Sequence, residues 1–206
     1  MKLQLIRHAE STANVRRALN TRMPGPPLTE QGLAQAETLA TGVAADPIVA
    51  VYASIAVRAQ QTAAPVAAMH GLEVQVIDGV HEVWVGDLED RTDAAAIDTY
   101  AGVFYPWTRG ELEVSMPGGE SGLQVRDRYL DAIAQVRAKH EQAHPDGTVL
   151  LVSHGGVMRL CAELLSDNVP PGLAEAGLIP NTGAIVLQTR DGGGWHCLAW
   201  AGANHP

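Results

Sequence analysis

Two hydrophobic patterns alternate along this chain and predict its secondary structure. Short apolar runs predict four β-strands, at residues 3–6, 48–52, 72–77 and 148–153. The last of these is continuously apolar from Val149 to Val152, as expected of a strand that is buried on both faces of a sheet. Two later runs, at 184–187 and 195–200, predict further strands joined by a glycine-rich turn at 191–194.

Between these strands, longer amphipathic or alanine-rich segments predict helices at 29–43, 54–69, 121–144 and 155–165. Thr29 is placed to cap the first of these helices, and a polar, proline-rich loop at 9–28 precedes it. This alternation of strands and helices predicts an α/β fold in which most strands of the central sheet are parallel.

Residues 83–120 differ in composition from the rest of the chain. They hold five of the nine aromatic residues and eight acids, which only two arginines offset. We interpret the segment as a lid inserted over the edge of the sheet, although an ordinary helical excursion with its own small apolar cluster fits equally well. The aromatic residues are Trp84, Tyr100, Phe104, Tyr105 and Trp107, and the acids are Asp87, Glu89, Asp90, Asp93, Asp98, Glu111, Glu113 and Glu120.

Composition and charge exclude several classes of protein. With 206 residues, 46% of them hydrophobic, the chain can bury one ample core, and we expect one domain over residues 1–206. A formal net charge of −9 argues against binding to nucleic acids or to anionic membranes. No apolar run reaches the roughly 20 residues of a membrane span, and the N-terminus lacks the apolar core of a signal peptide, so we expect a cytoplasmic protein.

The two cysteines, Cys161 and Cys197, fall within apolar segments of a predicted helix and a predicted strand. In a cytoplasmic chain we expect them to pack as small hydrophobic residues rather than to form a disulfide. Their spacing is unlike that of zinc ligands, and we expect no metal site.

Cationic and imidazole side chains follow three of the predicted strands. Arg7 and His8 come directly after the first strand, Arg58 follows the second, and His154 comes directly after the strand at 148–153. The carboxyl ends of parallel strands meet at one edge of a sheet, where ligands bind, so we expect these side chains to lie together. Taken singly, each residue has an ordinary structural explanation, such as a strand cap or a hydrogen-bonded core histidine.

Together these residues would form a positive pocket in a chain whose net charge is −9. Gly155 and Gly156 follow His154 at the start of a predicted helix, where backbone N–H groups can bind an anion. Two arginines, two histidines and this helix start therefore predict a site for a phosphoryl group.

Several short motifs occur in a fixed order along almost the whole chain. They are Arg7-His8-Ala9-Glu10-Ser11 with Asn14, Pro27-Leu28-Thr29 with Gly32, Ser54 with Arg58-Ala59-Gln60-Gln61-Thr62-Ala63, Glu82 with Gly86, Pro117-Gly118-Gly119-Glu120-Ser121, and Ser153-His154-Gly155-Gly156-Val157-Met158-Arg159. Through their number and order, the chain resembles the histidine phosphatase superfamily, also called the phosphoglycerate mutase-like family.

The resemblance implies a three-layer αβα sandwich and a covalent mechanism in which His8 is the nucleophile. Glu82 would give a proton to the leaving group and then take one from water. The resemblance implies no metal ion and no organic cofactor, and a homodimer is compatible with it. The residues implied to hold the phosphoryl group or the substrate are Arg7, Asn14, Arg58, His154 and Gly155.

Three positions depart from the usual pattern of this family. Ala9 stands where a glycine usually follows the first histidine, which predicts backbone strain or a narrower pocket. His81 stands where an arginine commonly precedes the acid, and Ala18 where an arginine often follows Asn14 by four positions. The arginines that could compensate for Ala18 are Arg16, Arg17 and Arg22.

These residues favour a phosphomonoesterase that acts on a small phosphorylated metabolite. Two alternatives stay open, namely a phosphoglycerate mutase-type phosphotransferase on the same scaffold and a non-catalytic module that binds a phosphorylated ligand. The insert after Glu82 is acidic and aromatic, whereas glycolytic mutases resemble one another in a basic insert there. Acids around the pocket should disfavour polyanions such as bisphosphates, while the aromatic residues could stack on a sugar or another ring.

Overall fold

A computed structural model describes residues 1–175 and 177–201 of the chain. Six strands form one sheet: β1 (Lys2–Arg7), β2 (Ile48–Ser54), β3 (Val74–Ile77), β4 (Thr148–Ser153), β5 (Ala184–Thr189) and β6 (Trp195–Trp200). Their order across the sheet is β3-β2-β4-β1-β5-β6. The first four strands are parallel, while β5 and β6 pair antiparallel with their neighbours, so the prediction of a mostly parallel sheet is confirmed.

Helices cover both faces of this sheet: α1 (Thr12–Arg16), α2 (Glu30–Gly42), α3 (Val57–Met69), α4 (Ala94–Thr108), α5 (Gly122–His140) and α6 (Gly155–Leu165). Successive side chains of a strand point to opposite faces, and β4 shows the result. Leu150 and Val152 pack in a cluster with α2 and α3, while Val149 and Leu151 pack in a second cluster with α5 and α6. The predicted three-layer αβα arrangement is therefore confirmed.

Local sequence explains how α2 is placed beside the edge of the sheet at which the parallel strands end. The Oγ1 atom of Thr29 accepts a hydrogen bond from the N–H of Gly32 at 2.9 Å, which confirms the predicted cap. A Cβ atom on Gly32 would overlap the carbonyl oxygen of Glu10, so only glycine allows this close approach. The first turn of α2 thereby supports the segment that follows β1.

The structure moves several predicted boundaries. The strand β2 continues to Ser54, which pairs with Ile77 in β3, so α3 begins at Val57 rather than at residue 54. The helix α5 ends at His140 rather than at residue 144, because Pro145 disfavours helical backbone just before it. The short helix α1 lies inside the loop predicted at 9–28, since five residues are too few to show a helical period.

The segment 83–120 contains α4 and a 3₁₀ turn at Gly86–Leu88. Phe104 and Trp107 of α4 are fully buried and belong to the same hydrophobic cluster as α5 and α6. The segment is thus packed on one face of the main core. Cys161 and Cys197 are buried free thiols, as predicted. Among the described residues, no helix combines the length and hydrophobicity that a membrane crossing requires.

Candidate functional site

The edge of the sheet at which the parallel strands end opens into a cleft with a volume of about 200 Å³. Six of the predicted site residues line it: Arg7, His8, Asn14, Arg58, Glu82 and Gly155. His154 is fully buried and does not line the cleft, but its ring centroid lies 5.1 Å from that of His8. The fold thus brings together residues from widely separated segments, with His154 behind the others.

His8 is held through both its backbone and its ring. Its N–H donates to the carbonyl oxygen of Ser153 at 3.0 Å, and its own carbonyl accepts from Nδ2 of Asn181 at 2.9 Å. Nδ1 lies 2.7 Å from the carbonyl oxygen of Ala9, which can only accept, so Nδ1 carries the proton and Nε2 keeps its lone pair. Burial and the guanidinium of Arg58 lower the pKa of His8 well below its usual value, and the imidazole is neutral.

Arg58 connects the two histidines. Its Nε donates to Nε2 of His8 at 3.2 Å, and its Nη2 donates to Nδ1 of His154 at 3.1 Å. Nε2 of His154 then donates to Oγ of Ser54 at 2.9 Å, because the guanidinium on the other side can only donate. Burial and Arg58 also lower the pKa of His154 well below its usual value. Both imidazoles are therefore neutral partners of one cation.

These two neutral histidines predict that the protein loses stability in acid. In the unfolded chain, His8 and His154 take up protons below about pH 6.5. In the folded chain they do so only at lower pH, because their pKa values are lowered there. The free energy of unfolding should therefore be constant above about pH 7.5 and fall below pH 6.5, by up to about 1.4 kcal/mol per pH unit for each histidine. Urea unfolding measured between about pH 8 and pH 5 checks this expectation.

Two variants test which histidines cause the decline. His154→Gln should make it shallower, while His144→Ala, which removes an exposed imidazole beside His140, should change it much less. Burial also lowers the pKa values of His81 and His140. These two histidines therefore add to the loss of stability in acid, and they are present in both variants. A free energy of unfolding that is equal at pH 7 and pH 5 would contradict the neutral state of His8 and His154.

Three guanidiniums and one carboxylate line the cleft, from Arg7, Arg58, Arg159 and Glu82. Burial lowers the pKa of Arg7 and of Arg58, but an arginine side chain stays charged. Nε of Arg7 and Nη1 of Arg58 are buried and have no hydrogen-bond partner within residues 1–175 and 177–201. Buried donors without a partner are uncommon, and the three cations that line the cleft give it a charge that suits an anion.

The carboxylate of Glu82 lies at the N-terminus of α6. Its carboxylate accepts hydrogen bonds from the backbone N–H groups of Gly156, Val157 and Val83, at 3.0, 2.8 and 3.0 Å. The sequence predicted that this helix start would hold the phosphate, and in the structure the N–H groups of Gly156 and Val157 meet the carboxylate of Glu82. A Cβ atom on Gly156 would lie only 2.8 Å from Oε1, so this contact requires glycine.

Arg128, on α5, clamps the loop that carries Glu82. Its guanidinium donates to the carbonyl oxygens of Gly79, His81 and Glu82 at 2.7, 2.8 and 3.1 Å. The same group forms a two-contact ion pair with Glu120, at 2.7 and 2.9 Å. His81 itself does not line the cleft, and its Nδ1 lies 3.1 Å from Oδ1 of Asp78. The unusual histidine before the acid thus contributes its backbone to the clamp.

Asn14 presents its amide nitrogen to the cleft. Its Oδ1 accepts from the N–H and the hydroxyl of Ser11, at 3.0 and 3.1 Å, which leaves Nδ2 as the group available to a ligand. Ala18 also lines the cleft, whereas Arg16, Arg17 and Arg22 do not. None of the three candidate arginines therefore replaces the one that Ala18 lacks.

Ala9 neither strains the backbone nor narrows the cleft. The residue is fully buried, its φ is not positive, and its methyl group packs with Leu28 and Ala36. Its N–H donates to Oγ1 of Thr62 at 3.0 Å. The strain or narrowing expected at this position is absent, because the methyl group points into a small apolar cluster.

Arg159 and Tyr100, which line the cleft, and Asn181, which contacts the backbone of His8, were given no role from the sequence. Arg159 stands in one of the recognised motifs, and its place in the second turn of a helix that starts at the cleft was the signal available. Tyr100 belongs to the aromatic group at 83–120, but nothing distinguished it from the other members. Asn181, which supports the backbone of His8, carried no sequence signal.

The acids at 83–120 do not form a negative wall. None of the eight lines the cleft. Glu89 accepts from the N–H and the hydroxyl of Thr21 at 2.8 and 2.6 Å, and Glu120 is paired with Arg128. Because none of these acids lines the cleft, the structure gives no reason to expect that the cleft excludes polyanions such as bisphosphates.

Comparisons with known proteins identify the family of this chain. The model of branch 1 of the histidine phosphatase superfamily matches residues 3–202. The chain is 32% identical to the PE-PGRS family protein PE_PGRS11 of Mycobacterium tuberculosis over 97% of its length, and it spans only 36% of that protein. It is also 32% identical to phosphoserine phosphatase 1 of Hydrogenobacter thermophilus, over 81% of this chain and 78% of that protein.

The solved structure of mycobacterial glucosyl-3-phosphoglycerate phosphatase superposes on this chain with a TM-score of 0.81 at 26% identity, over 98% of this chain and 99% of that one. The chain therefore belongs to the histidine phosphatase superfamily.

Proposed function

We propose that this protein is a phosphomonoesterase that hydrolyses a small phosphorylated metabolite without a metal ion. The observation that carries the proposal is the unprotonated Nε2 of a neutral His8, held by Arg58 inside a cleft that three guanidiniums line. The cleft volume of about 200 Å³ suits a small molecule. The phosphoserine and glucosyl-3-phosphoglycerate phosphatases among its relatives support a phosphatase activity.

In the first step, Nε2 of His8 attacks phosphorus in line with the ester oxygen. The N–P bond forms, the P–O bond to the leaving group breaks, and a protonated Glu82 gives its proton to the departing alkoxide. The guanidiniums of Arg7 and Arg58 offset the negative charge that would otherwise repel the nucleophile. Arg58 exchanges its hydrogen bond to Nε2 of His8 for the phosphoryl oxygens, and this exchange frees the lone pair.

In the second step, the carboxylate of Glu82 takes a proton from a water molecule that attacks phosphorus. The new O–P bond forms as the N–P bond breaks, inorganic phosphate leaves, and His8 returns to its neutral state. The backbone N–H groups on Glu82 keep its carboxylate in one place through both steps. In this proposal Asn14 contacts the phosphoryl group through Nδ2, and Gly155 borders it. His154 is a positioning residue that acts through Arg58, since it does not line the cleft.

The charged groups of the cleft favour chemistry without a metal ion. Three arginines and a single carboxylate repel a divalent cation, which needs several oxygen ligands of negative charge. In the described part of the chain, no group of three or more His, Cys, Asp or Glu residues is arranged to hold a metal ion. The role of the cation in charge neutralisation falls to the guanidiniums.

Hydrolysis of a panel of small phosphate monoesters, with and without a chelator, tests the proposal. We expect release of inorganic phosphate that the chelator does not change, and an acid-labile phosphoenzyme after rapid quenching. Supply of 3-phosphoglycerate with catalytic 2,3-bisphosphoglycerate tests the main alternative, since rapid formation of 2-phosphoglycerate would indicate a phosphotransferase. Saturable binding of esters without turnover would instead indicate a binding module.

A further inference from the structure

We propose that the cleft contains a second anion subsite, built by Arg159 and Tyr100, which binds a carboxylate group of the substrate. This inference rests on the proposed phosphomonoesterase function and narrows its substrate class. The substrates would be phosphate monoesters that carry a carboxylate close to the phosphoryl group.

Arg159 is a buried cation whose hydrogen bonds all go to neutral groups. Its side chain lines the cleft, although the residue is only 5% exposed. Nε donates to the carbonyl oxygen of Gly155 at 3.2 Å, and Nη1 donates to those of Ala174 and Gly177. Among the residues described, Nη2 has no hydrogen-bond partner and no carboxylate lies within 4 Å of the guanidinium. A buried charge without a counterion is costly, and a ligand carboxylate would remove that cost.

Tyr100 brings a second donor to the same cleft, where its hydroxyl and Oε1 of Glu82 each lie 2.8 Å from the place that a Cβ atom on Gly156 would take. Its ring stacks on that of Phe104 with centroids 5.4 Å apart, and the guanidinium carbon of Arg159 lies 5.0 Å from the Phe104 centroid. One aromatic ring from α4 therefore supports both groups. Burial and the nearby Glu82 hold the pKa of Tyr100 well above its usual value, so the hydroxyl stays protonated and can donate. No acceptor for this hydroxyl occurs in the part of the chain that the structure covers.

The two subsites adjoin one another at Gly155. Arg159 binds the carbonyl oxygen of Gly155, while a Cβ atom on the same residue would lie 3.2 Å from Cδ and Nε of Arg7. Arg7 and Arg159 thus flank a single residue, one on the phosphoryl side and one on the proposed carboxylate side. This proximity requires that few bonds separate the two anionic groups of the substrate.

The charge of the cleft supports the same assignment. When Glu82 is protonated and ready to act as an acid, the cleft presents three positive charges from Arg7, Arg58 and Arg159. A phosphoryl dianion balances two of them, and one carboxylate balances the third. A phosphate ester without a carboxylate would leave Arg159 unpaired in the loaded site.

A purely structural role for Arg159 is the competing explanation, because the side chain also holds the carbonyl groups of Ala174 and Gly177. The chain offers a matched control in Arg109. Its exposed guanidinium donates to Glu175 at 3.0 Å and so tethers the same loop without lining the cleft. A change in Arg109 disturbs the loop and leaves the proposed subsite in place.

The test compares ligands that differ in the carboxylate. Dissociation constants are measured by calorimetry for O-phosphoserine against O-phosphoethanolamine, and for 3-phosphoglycerate against glycerol 3-phosphate, in the full-length His8→Ala protein to prevent turnover. We expect the carboxylate to tighten binding by at least about 10-fold. Adding Arg159→Met should bring the ratio close to 1, and adding Tyr100→Phe should lower it part of the way. Adding Arg109→Met should leave the ratio intact.

Three results would overturn the subsite: equal affinities within both pairs, a ratio that survives Arg159→Met, or a ratio that Arg109→Met removes equally. Each of these can occur while the wild-type protein hydrolyses p-nitrophenyl phosphate, which has no carboxylate and tests the proposed function alone. Conversely, loss of the proposed function would not affect binding to the His8→Ala protein.

Discussion

Replacing His8 by alanine is expected to lower kcat for phosphate monoesters by at least about 1,000-fold. The variant has no group that can form the N–P bond, so water must attack the ester directly in a site that is not arranged for it. The measurement is the initial rate with p-nitrophenyl phosphate, together with the amount of phosphoenzyme after rapid quenching. We expect no trapped phosphoenzyme in the variant.

The matched control for this experiment is His144→Ala. His144 is exposed and lies outside the cleft, so its loss should leave kcat unchanged. Vanadate or inorganic phosphate should still bind to His8→Ala, because Arg7 and Arg58 remain. Retention of more than about a tenth of the activity by a folded His8→Ala protein would rule out the covalent mechanism.

Replacing Glu82 by glutamine is expected to affect the two half-reactions differently. Glutamine keeps the shape of the side chain but cannot transfer a proton, so kcat for an alkyl phosphate should fall by about 100-fold or more. With p-nitrophenyl phosphate the phenolate leaves without a proton, and the first step should stay fast. The second step still needs a base, so the phosphoenzyme should accumulate.

Rapid-mixing kinetics check this expectation. The Glu82→Gln protein should release a burst of p-nitrophenol close to one equivalent per site, followed by slow turnover. Glu111→Gln is the control, since Glu111 is an exposed acid that does not line the cleft. Equal losses for both esters and no burst would mean that Glu82 does not transfer the proton in either step.

The sequence was sufficient to predict the sheet and most of the cleft, for a physical reason. Strands such as β4 are buried on both faces and must be apolar throughout, so their ends are visible as the points where polar residues begin. Parallel strands bring those ends to one edge. The convergence of Arg7, His8 and Arg58 follows from this rule alone, without knowledge of any side-chain contact.

The details of the site depend on contacts that no local pattern encodes. The carboxylate of Glu82 competes successfully for the N–H groups at the start of α6, and this outcome depends on how the clamp by Arg128 places its loop. The positions of Tyr100 and Arg159 depend on how α4 packs against α6. Such partners are far apart in sequence, and their pairing emerges only when the core has formed.

The place of β1 in the sheet has a consequence for biosynthesis. The strand that precedes His8 is made before β4 and β5, which begin at Thr148 and Ala184, yet it lies between them in the sheet. Its pairing must wait until those distant segments have left the ribosome, since domains fold as units and long loops close slowly. Until β4 and β5 have been made, His8 therefore lacks the surroundings on which its proposed role as nucleophile depends, and the proposed hydrolysis has to wait for the complete sheet.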